Sequence, residues 1–202
     1  NVSSMEKFTD NQIYIAQNTG AAYYAMNTAE GFTLAAPSVQ TNYFQYFKTL
    51  HTANPTLYGN DSGNTIRTCL TPSNANSWSS QTTVGSIEQN ITGIIAAAGT
   101  PYIMKEDMPY FLDSLGAVQN NFAPELATEE AATSGKNAYV WQNKIYIPAG
   151  DQTLLESDSG VNQYLNPSDY CTELTKFSGR IQALASDHRY LFAILNAYPN
   201  VE

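Results

Sequence analysis

The chain has 202 residues, 43% hydrophobic and only 13% charged, with a net charge of −9. That is enough apolar material for an independent core, and it excludes a disordered chain. With no cluster of Lys or Arg to neutralise phosphates, the sequence argues against a nucleic-acid partner and against an anionic membrane surface.

Apolar periodicity predicts a mainly α single domain over 1–202. It would hold five to six helices, a loop-rich segment at 54–83, one β-hairpin at about 138–148 and a long C-terminal helix. Met5, Phe8, Ile15, Tyr23 and Met26 fall at helical spacing in the first segment. Pro37 suits the first turn of a second helix carrying Val39, Phe44, Phe47 and Leu50. Residues 54–83 are rich in Gly, Pro, Asn and Ser, around one short extended piece, TIRTCL. Ile87, Ile91, Ile94, Ile95 and Ala98 predict a third helix, ended by Gly99. Asp107 is placed to cap a fourth, with Phe111, Leu112, Leu115 and Val118 as its stripe. A short acidic helix over 123–133 follows. The last helix would carry Leu174, Phe177, Ile181, Leu184, Leu191, Ile194 and Leu195, kinked at Gly179. No internal repeat is read.

Cys69 and Cys171 allow one intramolecular bridge. It would close a loop of about 100 residues and contribute about 4 to 5 kcal/mol in the chain-entropy model. The alternative is two buried thiols acting as small apolar residues. The charge-poor, Tyr- and Asn-rich composition favours the bridge and a periplasmic, secreted or cell-surface location. The first residue is Asn1 rather than Met, which reads as a processed or trimmed terminus and allows for a removed signal or anchor.

The hairpin lies in NAYVWQNKIYIPAG, 137–150. Trp141 opposite Lys144, or Gln142 opposite Ile145, are its two tight registers. Either puts Tyr139, Trp141 and Tyr146 on one face and Val140, Ile145 and Ile147 on the other. The aliphatic face should lie on the core. The aromatic face is either covered by the 151–166 loop or the NANSWSS loop, or it is exposed as a platform. In the second case Tyr139, Trp141 and Tyr146 are candidate binding residues for a protein partner or a sugar ring.

Chemical motifs are sparse. GxSxG, CxxC, HExxH, GxGxxG and Walker patterns are absent, and no cofactor or metal site is expected. His51 reads as a helix-end residue and His188 as part of a solvated charged turn. GNDSG and ESDSG read as polar loops, without the spaced carboxylates of a calcium loop. Sequons occur at Asn1, Asn60 and Asn90. The leading expectation is a non-enzymatic extracytoplasmic interaction module, an accessory, adhesin-like or assembly subunit of a surface or secretion structure. Its expected partner is a protein, with carbohydrate as a second possibility. One alternative is a lysozyme-like polysaccharide hydrolase using Glu88, Glu106, Asp107 or Glu125. Another is a small-molecule sensor with an apolar pocket.

Overall fold

The computed structural model describes residues 2–8, 11–17, 23–29, 33–35, 44–61, 63–74, 77–120, 122, 135, 137–149, 153–158, 160–166, 169, 172–173 and 177–199. These form eighteen strands. The first sheet holds β1 (Val2–Lys7), β2 (Gln12–Gln17), β3 (Tyr24–Asn27) and β4 (Thr33–Ala35). The second holds β5 (Phe44–Leu50), β6 (Thr56–Asp61), β7 (Thr65–Cys69) and β8 (Thr82–Thr83). The third holds β9 (Ile91–Ala97), β10 (Thr100–Lys105), β11 (Tyr110–Leu112) and β12 (Val118–Gln119). The fourth holds β13 (Tyr139–Trp141), β14 (Lys144–Ala149), β15 (Thr153–Asp158) and β16 (Val161–Leu165). The fifth is the pair β17 (Phe177–Ser186) and β18 (Leu191–Pro199). Within each sheet the strands are neighbours in chain order and antiparallel, so every sheet is a meander.

The helical expectation is therefore overturned: among the described residues there is no helical element. The reason lies in how these sheets are buried. Each inner sheet is covered on both faces, so its strands carry continuous apolar runs instead of clean alternation. Ile94 packs with the second sheet and Ile95 with the fourth. With Ile91 buried as well, the three mimic one helical stripe. Ala98 and Gly99, read as a helix end, have φ of 48° and 76° and form the tight turn between β9 and β10. The expected C-terminal helix is the β17–β18 hairpin, which sends Leu191 and Leu195 inward and leaves Ile194 exposed on the other face. The loop-rich segment 54–83 contains β6, β7 and β8. The acidic helix at 123–133 lies outside the described residues.

The hairpin of 137–150 is β13–β14, with Trp141 opposite Lys144, Val140 opposite Ile145 and Tyr139 opposite Tyr146. Gln142 and Asn143 have φ of 50° and 63°, as a two-residue turn of this hand requires. Pairing then continues through β15 and β16.

First strands meet first strands: β1 touches β5, β5 touches β9, β9 touches β13 and β13 touches β17. The sheets thus stand around a common axis, and the core is divided into one cluster per junction. Between the first and second sheets lie Phe8, Tyr14, Ala16, Tyr23, Phe44, Phe47 and Leu57. The second and third enclose Ile66, Val84, Ile91, Ile94, Ile103, Tyr110 and Leu112. The third and fourth enclose Ile95, Met104, Ile145, Ile147 and Leu155, among others, and the fourth and fifth Tyr146, Leu154, Ile181 and Leu184.

A sequence signal underlies this repetition. Tyr14, Tyr58, Tyr102, Tyr146 and Tyr190 stand 44 residues apart. The first four lie on the second strand of their sheets, and each packs in the junction with the following sheet. From the second sheet on, the residue after the tyrosine faces the preceding sheet, and in the third and fourth sheets it is Ile103 and Ile147. In the second sheet it is Gly59, because Phe44 and Phe47 take its space: a Cβ there would sit 2.5 Å from Phe44 Cδ1 and 2.9 Å from Phe47 Cε1. Replacing Gly59 with Ile, the residue the other sheets use, should therefore destabilise the chain by about 3 kcal/mol through overpacking. A urea unfolding midpoint that does not fall would show that the aromatic pair does not set this position.

Candidate functional site

The first strand of each sheet pairs only with the second, leaving its other edge toward the axis. An unpaired edge presents N–H and C=O groups that need partners or water. At β5 the neighbouring β1 supplies them through side chains. Phe47 N donates to Ser4 Oγ at 3.1 Å, and Thr49 N donates to Glu6 Oε1 at 2.9 Å. Lys48 Nζ lies 3.2 Å from the same carboxylate oxygen, and Thr49 Oγ1 donates to the Lys7 carbonyl at 2.9 Å.

Further round, the walls change character. A groove of about 350 Å³ is lined by Ser4, Met5 and Glu6 of β1 and by Phe47 and Lys48 of β5, and it continues along β9 and β13 at Ile94, Ile95, Ala96, Tyr139 and Val140. In a two-residue hairpin the pair flanking the turn exchanges hydrogen bonds, and the next pair points outward. Ala97 opposite Thr100 and Trp141 opposite Lys144 are the flanking pairs. The backbone groups of Ala96, Ile94 and Val140 consequently point away from β10 and β14, toward the groove. Among the described residues, the groove therefore offers an ion pair and a row of strand-edge donors and acceptors.

The candidate aromatic residues sit beside it. Tyr139 lines the groove and its hydroxyl is 3.2 Å from Ser186 Oγ. Trp141 Nε1 donates to the Asp187 carbonyl at 2.9 Å, and its ring centroid is 6.1 Å from that of Tyr146. Tyr139 and Trp141 are half-buried and Tyr146 is buried. Ile181, Leu184, Leu191 and Leu195 of β17–β18 cover this face, rather than either loop named above. Trp78 of NANSWSS packs instead with Phe44 and Phe47, its Nε1 donating to Tyr23 Oη at 3.2 Å.

On the same face a half-buried polar network surrounds Glu156. Glu156 Oε1 accepts from Lys144 Nζ and Gln163 Nε2, both at 2.7 Å, and Oε2 accepts from Tyr146 Oη at 2.8 Å. Burial pushes the Glu156 carboxyl up, but the hydrogen bonds from Lys144, Tyr146 and Gln163 outweigh it and hold the carboxyl below its ordinary value. Burial, then Glu156, raises the Tyr146 hydroxyl.

The remaining candidates are dispersed. Cys69 is a buried free thiol with Sγ 2.9 Å from Ser77 Oγ, and burial raises its pKa, so the expected bridge is corrected; Cys171 lies outside the described residues. Glu88 is exposed in the turn before β9. Glu106 Oε2 accepts from Asn90 N at 2.9 Å, and Asp107 Oδ2 accepts from Tyr110 Oη at 2.7 Å. None of the three lines the groove, where Glu6 is the acidic residue among the described lining, and Glu125 lies outside the described residues. His51 is exposed beyond β5, and His188 is exposed at the tip of β17–β18, where Asp187 Oδ1 accepts from Arg189 N and Tyr190 N. Among the described residues, no group of three His, Cys, Asp or Glu could hold a metal ion. A second cavity of about 330 Å³, between the third and fourth sheets, is lined by Tyr102, Phe111, Phe122, Asn143, Ile145 and Ser157, with no charged side chain among the described residues that line it.

Solved structures share this architecture. The extracellular domain of the one-component system BT4673 from B. thetaiotaomicron superposes with a TM-score of 0.65 at 11% identity, over 96% of this chain and 26% of that one. Virginiamycin B lyase from Staphylococcus aureus with quinupristin gives 0.60 at 9%, over 96% and 69%. YCF48 bound to D1 peptide gives 0.63 at 11%, over 96% and 61%. The fold is that of a β-propeller. The chain spans about a quarter of the BT4673 domain and somewhat over half of YCF48. No family model matches the chain, and no curated protein matches it in sequence.

Ser4, Glu6 and Lys48 went unnoticed in the sequence because their role belongs to an inner strand. The 44-residue tyrosine interval would have located the second strands, and the inner strands just ahead of them. The Glu156 network carries a pH expectation. Its folded carboxyl releases its proton more readily than the unfolded one, so the stabilisation is complete above the ordinary Glu value of about 4.3 and lost as pH falls through the lower folded value. Urea midpoints of the native chain should fall across that acid window, and Glu156→Gln should flatten the fall. An equally steep acid limb in the variant would remove Glu156 from the explanation.

Proposed function

We propose that this chain is an extracytoplasmic, non-enzymatic interaction module whose axial groove captures an extended segment of a protein partner. The observation that carries this reading is the pair of groove-facing edges at Ile94, Ala96 and Val140 beside the Glu6–Lys48 ion pair. Edge backbone groups give an added strand its affinity, while the side walls give selectivity. Exposed Met5 suits an apolar side chain of the segment, and the ion pair suits a polar one beside it. Two similar folds support the reading: one is an extracellular domain, and another is recorded with a bound peptide. The charge-poor composition agrees with the location. The accessory or assembly role rests on the same groove and on the absence of a catalytic motif in the sequence.

Panning a random peptide library against the whole chain, followed by calorimetric titration of the enriched peptides, tests this. Val140→Pro removes the groove-facing N–H of that residue while sparing the β14 pairing, a position where an edge strand tolerates proline. Enriched peptides should bind native protein and lose at least about tenfold, or 1.4 kcal/mol, on the variant, with its thermal midpoint nearly unchanged. Failure to enrich any peptide, or equal binding to the variant, would reject the groove as the capture site.

A further inference from the structure

Strand register gives Ser157 two counterparts in the other sheets. Tyr58 lies opposite Thr68, Tyr102 opposite Phe111 and Tyr146 opposite Glu156, so the next residue on the third strand is Cys69, Leu112 and Ser157 in turn. All three are buried, at 2%, 7% and 4% exposed. Leu112 fills the junction between the second and third sheets. Ser157 shares its face with Leu155 and lies opposite Ile145, so it points into the junction between the third and fourth sheets. Serine is far smaller than leucine, and the cavity of about 330 Å³ lies at this position. The Ser157 hydroxyl meets no hydrogen-bond partner among the described residues. A hydroxyl buried in that way is unfavourable unless something else pairs with it. Three rings form the third-sheet wall: Tyr102 is 5.9 Å from Phe111 and 5.0 Å from Phe122, centroid to centroid. Asn162 Nδ2 holds Phe122 in place by donating to its carbonyl at 2.6 Å. Burial raises the Tyr102 pKa, with no hydrogen bond opposing it. Ala98, Asn143 and Gly160, in the turns β9–β10, β13–β14 and β15–β16, are exposed, so the cavity opens to solvent between them.

We infer that this cavity binds a small uncharged aromatic molecule bearing one hydroxyl or N–H, of the phenol or indole class. Cavities walled mainly by apolar side chains take up aromatic molecules of matching size. A fourth ring meets the edges and faces of the three already there. No charged side chain lies among the described lining residues, so an ionised ligand would lose its water without gaining a partner. The polar groups are few, the hydroxyls of Ser157 and Tyr102 and the amide of Asn143, and they suit a single polar substituent. A sugar, with a hydroxyl on most of its carbons, would leave most of them unpaired. The site shares no described lining residue with the axial groove, so it is independent of peptide capture there.

Calorimetric titration of the whole chain with indole and with phenol tests this. Native protein should bind at least one of them with a Kd of about 1 mM or tighter. Ser157→Leu installs the residue of the third sheet and fills the space, and it should weaken binding at least about tenfold with the thermal midpoint no lower than native. Asn143→Gly removes the amide at an exposed turn position whose φ of 63° glycine accepts, and should weaken binding several-fold. It reads the site independently should the leucine variant fail to fold. Native protein that binds neither probe overturns the inference, as does undiminished binding in every variant whose circular dichroism is native. Glucose bound more tightly than either probe overturns it as well, by showing that the cavity selects hydroxyls over rings.

Discussion

A meander of four short strands has two faces and cannot bury both within itself, so everything in this chain depends on the contact of one sheet with the next. That contact is built from a tyrosine on the second strand, presented to an apolar face of the following sheet. It occurs at Tyr14, Tyr58, Tyr102 and Tyr146, and it divides the apolar interior into four clusters where a globular domain would have one. Stability in such an array is close to a sum of neighbouring junctions. Local differences, such as Gly59 opposite Phe44 and Phe47, are ways of filling the same space with other residues.

The same geometry creates the groove. Stacking sheets side by side around an axis turns their first strands inward, and each first strand has one edge its own sheet cannot satisfy. Between β1 and β5 the chain closes that edge with Ser4 and Glu6. Along β9 and β13 the edge runs through Ile94, Ala96 and Val140, whose side chains cannot play the same part. Polar residues buried elsewhere secure the connections. Lys105, fully buried, donates through Nζ to the carbonyls of Val84 and Ser86 and lies 5.5 Å from the centroid of the Tyr110 ring, tying the segment before β9 to the third sheet. Burial lowers its pKa, against the opposing pull of Asp107 and Glu106. Gly85 beside it has a φ of 59° and leaves no room for a side chain against Tyr110.

How much of this was legible in the sequence differs from element to element. The 138–148 hairpin was readable because Gln142-Asn143 is a tight-turn pair and the flanking residues alternate. Its sorting into an aromatic and an aliphatic face follows from parity alone, and the structure keeps it. Elsewhere parity was hidden. In ITGIIAAAG and LFAILNAYP both strand faces are apolar or small, so period two disappears and the run resembles a helical stripe. The bridge inferred from Cys69 and Cys171 rested on composition, which carries no geometry, and Cys69 instead sits against Ser77. The groove was not legible, since an ion pair between residues 6 and 48 has no local signature. The tyrosine interval was in plain view, and once taken as a repeat it gives sheet number, second-strand positions and facing.

The sheet-by-sheet construction itself is tested most directly by hydrogen exchange on Tyr146→Ala. Removing that ring empties the junction between the fourth and fifth sheets at a cost of about 3 kcal/mol, by analogy with other large aromatic truncations. If junctions are the units of stability, amides of β13 to β18 should exchange faster while those of β1, β2, β5 and β6 keep their native protection. A uniform loss of protection across all five sheets would contradict this and show one cooperative core in which no junction acts alone.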